Sequence, residues 1–398
     1  MTLKHQHQKL VVLGSMTGSS CDGSDIAIVE YTINPKKVAT KGFVVDETIR
    51  GFSQVAFSKA LKQRLQTAQK GLIALKEFGR LEVDYSIFLA EHLNNVISDY
   101  KLKRRDLLIG IHGQTLWHEP ESHFSIQAIN PSIVATQTGC TTVYNFRAKD
   151  LAHAGEGAPL APNYLRLFCD HQKINGVAFH NIGGIANTAV LDKKKNIYLG
   201  FDTGPGNLLI DMAVKQFTRG KQSYDHNGQM ALAGWSSINE KRLIQLLKNP
   251  FFNTPPPKST GKEVFSEDYL NEFRSSGLQL IAETTCFTAI TMALAYRKFV
   301  LPKTKLRKIY ITGGGAHNHT LMRAFAQYVN VKAPFIDVAP LGILGDSLEA
   351  TAFARFALEG FAHRLISDKV FTGAHTNSFG ASITTGDNYL ELVTKVFK

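Results

Sequence analysis

Three apolar runs in this chain end in glycine-rich turns, at 14–25, 202–207 and 313–318, and that punctuation limits the fold more than any other feature. The first, "LGSMTGSSCDGSDIAIVEY" at 13–31, sets glycines, small hydroxyl residues and two aspartates between the β-rich runs "KLVVLGSM" and "IAIVEYTI". Two such runs around so small a loop read as a hairpin. The second half repeats the theme. "GVAFHNIGGIAN" runs into glycines, and "NTAVL" and "IYLGFD" flank the lysine-rich turn "KKKN". Each strand-hairpin block is followed by helices, which predicts two related α/β domains. The relation is architectural, with no residue-level repeat.

The helical stretches are legible by period. "LEVDYSIFLAEHLNNVISDY" puts Leu81, Tyr85, Phe88, Leu89, Leu93, Val96 and Ile97 on one stripe. "TGPGN" opens a helix over "NLLIDMAVKQFTRG" that Gly220 can close. "KIYITGGGAHNHTLMRAFAQYV" reads as strand, glycine turn and helix. A chain of 398 residues has room for two such domains, and 44% hydrophobic with 20% charged residues suits a globular enzyme.

Several classes drop out. No run approaches the roughly 18 apolar residues of a membrane span, and the opening "MTLKHQHQKL" lacks a signal peptide's apolar core. A cytoplasmic location is the expectation. Cys21, Cys140, Cys169 and Cys286 stand far apart without a CxxC pair, which argues against a zinc site or a disulfide framework. The net charge of +12 invites a nucleic-acid partner, but the basic residues are dispersed, densest in "KLKRRD" and "DKKKN". Mild attraction of anionic substrates is the expected consequence. "PPPKSTGKE" fails as a P-loop, because Pro256 takes the first glycine's place and Glu263 follows Lys262. "GPGNLL" lacks the third glycine of a dinucleotide fingerprint.

Glycine permits positive φ and close backbone approach, and consecutive N–H groups form anion nests. Three such turns with polar or acidic neighbours point to the handling of phosphate. A strand hairpin with Asp and Gly, twice, followed by "TGGGAHN", resembles the layout of the sugar kinase/Hsp70/actin superfamily. That resemblance implies an α/β, two-domain actin-like ATPase fold with an interdomain active-site cleft. In it two glycine loops grip the phosphates and a third turn lies against the adenosine. The domains are expected at 1–148 and 149–369, with 370–398 packing back on the first.

The series "GSMTGSSCDGSD", "HGQTLWHEP", "NFRAKDLAHAGEGAPLAP", "NIGGIANTAVL", "GFDTGPGNLLID", "PPKSTGKEVF" and "TGGGAHN" resembles, in order, the motifs of the anhydro-N-acetylmuramic acid kinase family, from about residue 10 to residue 360. The family's MSGTSxDG reads "MTGSSCDG" here, keeping hydroxyls at Thr17 and Ser19, and its FRxxD is "FRAKD". "GILGDSLEATAFA" keeps Glu349 but lacks a pair of prolines common there. The resemblance implies a kinase that opens the 1,6-anhydro bridge of its sugar with water and phosphorylates O6 from ATP. A levoglucosan-type anhydrosugar kinase is the alternative, and an Hsp70-like or actin-like ATPase module is the rival from another class.

The resemblance also implies roles. Asp202, at a strand end before a glycine loop, is the expected general base; four residues separate it from Asn207, too many for a helix cap. ATP and its phosphates are expected on Thr17, Gly18, Ser19, Ser20, Cys21, Asp22, Gly23 and Ser24 of the opening loop, on Gly204, Gly206 and Asn207, and on Gly313, Gly314 and Gly315. The sugar is expected against His112, Gln114, His118, Arg147 and Asp150. Arg147 suits a lactyl carboxylate, being a bidentate cation, unless it pairs with Asp150. His112 is either a substrate contact or a structural hydrogen-bonder. Asp22 is the candidate Mg2+ ligand, and Asp25 either assists or caps the loop. Lys258, Ser259 and Thr260 either line the nucleotide side or form a solvated loop, and Trp117 reads as core. ATP and the anhydrosugar are the expected partners of a homodimer, with no nucleic acid and no membrane.

Overall fold

The computed structural model describes residues 7–18, 21–341 and 345–398. They form two compact units, Met1–His171 with Gly342–Lys398, and Gln172–Leu341.

In the first unit β1 (Gln8–Thr17), β2 (Gly23–Ile33) and β3 (Val44–Ala56) make an antiparallel meander. On the other side of β1, β4 (Leu107–Glu119) runs parallel to it and β6 (Thr142–Tyr144) parallel to β4. β5 (Phe124–Ala128) folds back on the outer half of β4. The Leu75–Asp99 helix covers one face with its predicted stripe, of which only Phe88 stays half-buried, edge-on to Phe57. The Leu348–Phe361 helix covers the opposite face. It can do so only because β1 and β4 present bare backbone there. A Cβ on Gly14 would stand 2.0 Å from the Ala350 carbonyl oxygen, and one on Gly110 would stand 2.5 Å from that of Phe353.

The second unit repeats this order. β7 (Val177–Ile182), β8 (Ile185–Asp192) and β9 (Ile197–Pro205) form the meander, with the lysines 193–195 as the β8–β9 turn. β10 (Lys308–Thr312) lies parallel to β7, and β11 (Phe335–Asp337) parallel to β10. Sheet orders β6-β4-β1-β2-β3 and β11-β10-β7-β8-β9 are therefore one topology used twice. This doubled meander-plus-parallel sheet is the architecture of the sugar kinase/Hsp70/actin fold. The Gly277–Ala295 helix, continued to Val300, is long and apolar enough to cross a membrane. Most of it is instead buried, packed into both apolar clusters of the second unit.

The boundaries expected at 148/149 and 369/370 both fall inside the first unit, which the structure parts from the second at 171/172 and 341/342. Packing explains the difference. In the Ala161–Gln172 helix, Tyr164 reaches Glu47 of β3 (2.8 Å), and the Leu348–Phe361 helix lies on β1 and β4. The C-terminal strand Ser382–Thr384 then pairs with β6. Trp117, expected in the core, is 41% exposed on the β4–β5 hairpin. Gly220 does follow the Leu208–Thr218 helix, after a left-handed Arg219, and its N–H caps the Lys215 carbonyl.

Gly14→Ala should lower stability by at least the roughly 3 kcal/mol at the upper end of ordinary overpacking, because its new Cβ meets backbone and not a flexible side chain. Chemical denaturation checks this; a loss below about 1 kcal/mol would mean the helix can lift from β1 at little cost.

Candidate functional site

Each unit holds its own group of candidate residues. In the first, Thr17, Cys21 and Ser24 of the opening loop turn their side chains inward. Thr17 is buried with its hydroxyl 2.7 Å from that of Tyr85, and Cys21, at φ +54°, lies in the apolar core. Ser24 is buried as well, and Gly23 is glycine because a Cβ would strike the Val55 carbonyl at 2.3 Å. The Cys21 N–H closes the turn on the Gly18 carbonyl (3.1 Å), which also accepts from Gln114 Nε2 (3.2 Å). Ser19 and Ser20 lie outside the described residues. The buried side chains of Thr17, Cys21 and Ser24 and the bare backbone of Gly23 thus shape the loop. Asp22 is exposed and meets Lys62 Nζ at 2.5 Å, and Asp25 accepts from Gln54 (2.7 Å).

The "HGQ" and "FRAKD" motifs converge on a fixed arginine. His112 projects from β4 onto the face of the Leu348–Phe361 helix, its ring 4.7 Å from that of Phe353. Nδ1 sits 2.9 Å from the Gly113 carbonyl and so carries the proton, leaving Nε2 to accept from Arg147 Nε at 2.9 Å. Burial, with the Arg147 charge beside it, holds His112 well below the usual histidine range, so it is neutral. Both ring nitrogens are committed, and His112 positions Arg147. Arg147 Nη1 also donates to the Gly157 carbonyl (2.6 Å). Burial lowers its pKa to about 10, which leaves it cationic, with Nη2 still to offer. Exposed His118 is also lowered, by partial desolvation and then by Arg147.

Asp150 stands elsewhere than expected. It is completely buried, with Oδ1 accepting from Ser367 and Thr372 (both 2.8 Å) and Oδ2 from the Gly157 N–H (2.8 Å). Its carboxylate is spent on the loop whose carbonyl holds Arg147. Glu349, in the first turn of its helix, is the charge facing Arg147. It is open to solvent, yet the surrounding protein raises its carboxyl pKa, with Arg147 pulling it down and Asp25 up.

In the second unit Asp202 lies near the end of β9, held by a segment the sequence left ambiguous. Its N–H donates to the Lys258 carbonyl (3.1 Å), and its Oδ2 accepts the Thr260 N–H (2.9 Å). Lys258 is pinned by the Phe251 carbonyl (2.8 Å) and lies over the rings of Phe251 and Phe299, at 4.3 and 4.9 Å. Burial pushes the Asp202 carboxyl up to about 6, against the Thr260 N–H and the Lys258 charge. Lys258 is lowered to about 8 by burial and by Lys298, with Asp202 opposing. The segment 258–260 is a brace for Asp202.

The glycine turns interlock. A Cβ on Gly206 would lie 2.2 Å from the Gly183 carbonyl oxygen, and one on Gly313 2.4 Å from Asn181 Oδ1. Gly204 (φ +142°) abuts Phe252 and Thr291, and Gly315 abuts Ile182. The N–H groups of Gly206, Asn207 and Leu208 donate to the carbonyls of Gly184, Gly183 and Gly184, at 2.8, 2.7 and 3.1 Å. The 204–207 turn therefore has few amides left for phosphate. Those of Gly183 and Gly184 donate to no backbone carbonyl among the described residues, and a Cβ on Gly184 would meet nothing within 4 Å. This β7–β8 hairpin is the topological counterpart of the opening β1–β2 hairpin, a signal present in "NIGGIAN" that the sequence reading passed over. Beside it opens a cavity of about 520 Å³ whose lining includes Asn207, Asp211, Tyr224, His226 and Gly314.

Burial of Asp202 sets a stability cost. Unperturbed, an aspartate ionises near 3.8, so its stabilising contribution is full below about pH 4 and lost as pH rises through about 6. Asp202→Asn should melt above wild type at pH 8, with the gap narrowing toward pH 5. At about 1.4 kcal/mol per pK unit the ceiling is about 3 kcal/mol. Parallel melts across that range check this; a pH-independent gap would exclude Asp202 burial as its source.

The comparisons with known proteins bear on the family to which the chain belongs. The family model "Anhydro-N-acetylmuramic acid kinase" matches residues 10–385. A relative of that name from Caldanaerobacter subterraneus subsp. tengcongensis is 33% identical over 377 residues, covering 89% of this chain and 92% of the relative. One from Hahella chejuensis is 35% identical over 363 residues, covering 88% and 92%. Among solved structures, a ROK family glucokinase from Streptomyces griseus in complex with glucose and AMPPNP covers 89% of this chain and 100% of its own, at 11% identity and a TM-score of 0.35, too distant to carry any inference. With nearly its whole length matched by the family model and by relatives a third identical, this chain belongs to the anhydro-N-acetylmuramic acid kinase family.

Proposed function

We propose that the chain hydrolytically opens 1,6-anhydro-N-acetylmuramic acid and phosphorylates O6 from ATP, giving N-acetylmuramic acid 6-phosphate and ADP. The observation that carries this reading is Asp202: a half-buried carboxylate with Oδ2 fixed by the Thr260 N–H and Oδ1 accepting from none of the described residues. A pKa near 6 suits a general base, ionised at neutral pH and basic enough to take a proton. Asp202 removes a proton from water as the water oxygen bonds to the anomeric carbon. The C1–O6 bond breaks, O6 bonds to the γ-phosphorus, and the bond to the ADP oxygen breaks.

Backbone amides at Gly18 and Asp22 in the first unit and at Gly183 and Gly184 in the second are the proposed phosphate donors, with Asn207 and Gly313–Gly315 as their support. Arg147, oriented by His112 and Gly157, offers Nη2 to the lactyl carboxylate, and Gln114 and His118 stand as further sugar contacts. Among the described residues no three His, Cys, Asp or Glu side chains gather as a metal cluster. That fits Mg2+ held chiefly by phosphate oxygens and water, and Asp22 is the exposed carboxylate able to join it by exchanging Lys62. The cation would neutralise charge on the transferred phosphoryl group. Family membership extends the proposal to a cytoplasmic homodimer acting on ATP and an anhydrosugar, without nucleic-acid or membrane partners. The four cysteines, all buried thiols, suit that compartment.

Asp202→Asn should fold and bind nucleotide yet lose about 10²–10⁴-fold in kcat, measured as ADP release with anhydro-muramic acid; retention of a third of wild-type turnover would remove Asp202 from the mechanism. In wild type, kcat should fall as pH drops through about 6, as the base takes up its proton. Arg147→Ala should raise KM for anhydro-muramic acid roughly ten- to a hundredfold, the worth of a charged hydrogen bond, and raise it far less for levoglucosan. Equal losses on both sugars would assign Arg147 to structure or phosphate.

A further inference from the structure

The cavity beside the Gly183–Gly184 hairpin is lined by a carboxylate that accepts no hydrogen bond from the described residues. Of its polar lining, Asp225 is spent capping a helix, its oxygens accepting from the N–H groups of Met230 and Ala231 (both 2.9 Å). Asn318 likewise caps with its Oδ1 on the Leu321 N–H (2.9 Å), and Asn207 Nδ2 donates to the Ile182 carbonyl (3.0 Å). The Tyr224 hydroxyl meets His226 Nε2 at 2.9 Å, with the two rings 4.5 Å apart. Asp211, half-buried in the same wall, accepts no hydrogen bond from the described residues. Burial pushes its carboxyl up to about 6, with only Lys215, one turn on, drawing it down. A carboxylate desolvated without a donor is costly, and in a cavity open to a ligand the ligand can supply the donors.

Position narrows which donors. The Asp211 N–H bonds the Asn207 carbonyl at 2.8 Å, one helical turn back, and the Asn207 N–H bonds Gly183 of the open glycine hairpin at 2.7 Å. A turn of helix advances about 5.4 Å, so Asp211 stands next beyond the phosphate loop. In a nucleoside triphosphate the group next to the phosphates is the ribose, and its vicinal hydroxyls are two adjacent O–H donors. The adenine edge fits worse, because its amino group is flanked by ring nitrogens that a carboxylate repels. Guanine, with N1–H and N2–H side by side, is the chemical rival.

We propose that Asp211 receives the ribose hydroxyls of the phosphoryl donor and makes the cavity selective for ribonucleotides over deoxyribonucleotides. The assignment rests on the kinase reading above. ADP or dADP release with anhydro-muramic acid is measured for ATP, 2′-deoxy-ATP, 3′-deoxy-ATP and GTP, in wild type and in Asp211→Ala. Wild type should favour ATP over at least one deoxy analogue by roughly ten- to a hundredfold in kcat/KM, the range for a charged hydrogen bond. Asp211→Ala should bring that ratio within about threefold, through a larger loss on ATP than on either analogue. Asp211→Asn, which keeps one acceptor oxygen, should fall between and serves if the alanine variant folds poorly. Equal use of ATP and both analogues by wild type, a parallel loss on all of them, or a GTP preference that Asp211→Ala erases would overturn the proposal. Calorimetric titration of the same nucleotides reads the discrimination even in a protein that turns over no sugar, so failure of this assignment is distinguishable from failure of the kinase reading.

Discussion

The contact of the Leu348–Phe361 helix with the bare backbone of β1 and β4 is the constraint on which the first unit depends. Helix and sheet touch at Gly14 and Gly110 with no side chain between them. That proximity draws the C-terminal segment, remote in sequence, onto strands laid down at the start of the chain. It also fixes the level at which the next inward residue of β4, His112, meets Phe353, and so where Arg147 is held. Close packing makes such an arrangement sensitive to a single methyl group. Glu349 enters the vicinity of Arg147 because its helix is pressed there, and not through any preference of its own.

The same helix carries a buried charge network. Arg355 bridges Glu47 and Glu359, both at 2.7 Å, Glu359 also meets Arg364, and Tyr164 donates to Glu47. Two arginines and two glutamates balance, and flanking carboxylates hold Arg355 firmly cationic. Buried ion pairs contribute little net stability against an apolar alternative, but leaving one member unpaired is strongly destabilising. Here the network ties β3 to the helix and to the chain after it, so it selects one seating of the helix over near neighbours that would strand a charge.

The second unit solves a different problem, that of keeping a carboxylate partly desolvated and usable. Asp202 receives one backbone N–H and feels the nearby charge of Lys258, enough to keep it ionised at neutral pH and too little to return it to an ordinary aspartate. Lys258 is itself weakened by burial and clasped by aromatic rings, so its charge is fixed in place. Around them, backbone–backbone contacts between glycine turns replace side-chain packing. The Gly183 and Gly184 carbonyls are engaged in those contacts, while their amides donate to no backbone carbonyl among the described residues.

By itself the sequence determined the repeating units: hydrophobic period and glycine placement set the two meanders, the Leu75–Asp99 stripe and the strand-end position of Asp202, all local in origin. Motif order was equally legible, since "HGQ", "FRAKD" and "FDTGPGN" are contiguous strings. What only the tertiary structure decided is which atoms those strings leave available. Whether Asp150 meets a sugar or three internal donors depends on Ser367 and Thr372, more than 200 residues away. Whether the 204–207 amides can hold phosphate depends on Gly183 and Gly184, brought across by the β8–β9 pairing. The boundary of the first unit, the brace at 258–260 and the unused carboxylate of Asp211 belong to the same class. Periodicity reports which face of an element is buried, but hydrogen bonding and desolvation are settled by partners that the chain supplies from a distance.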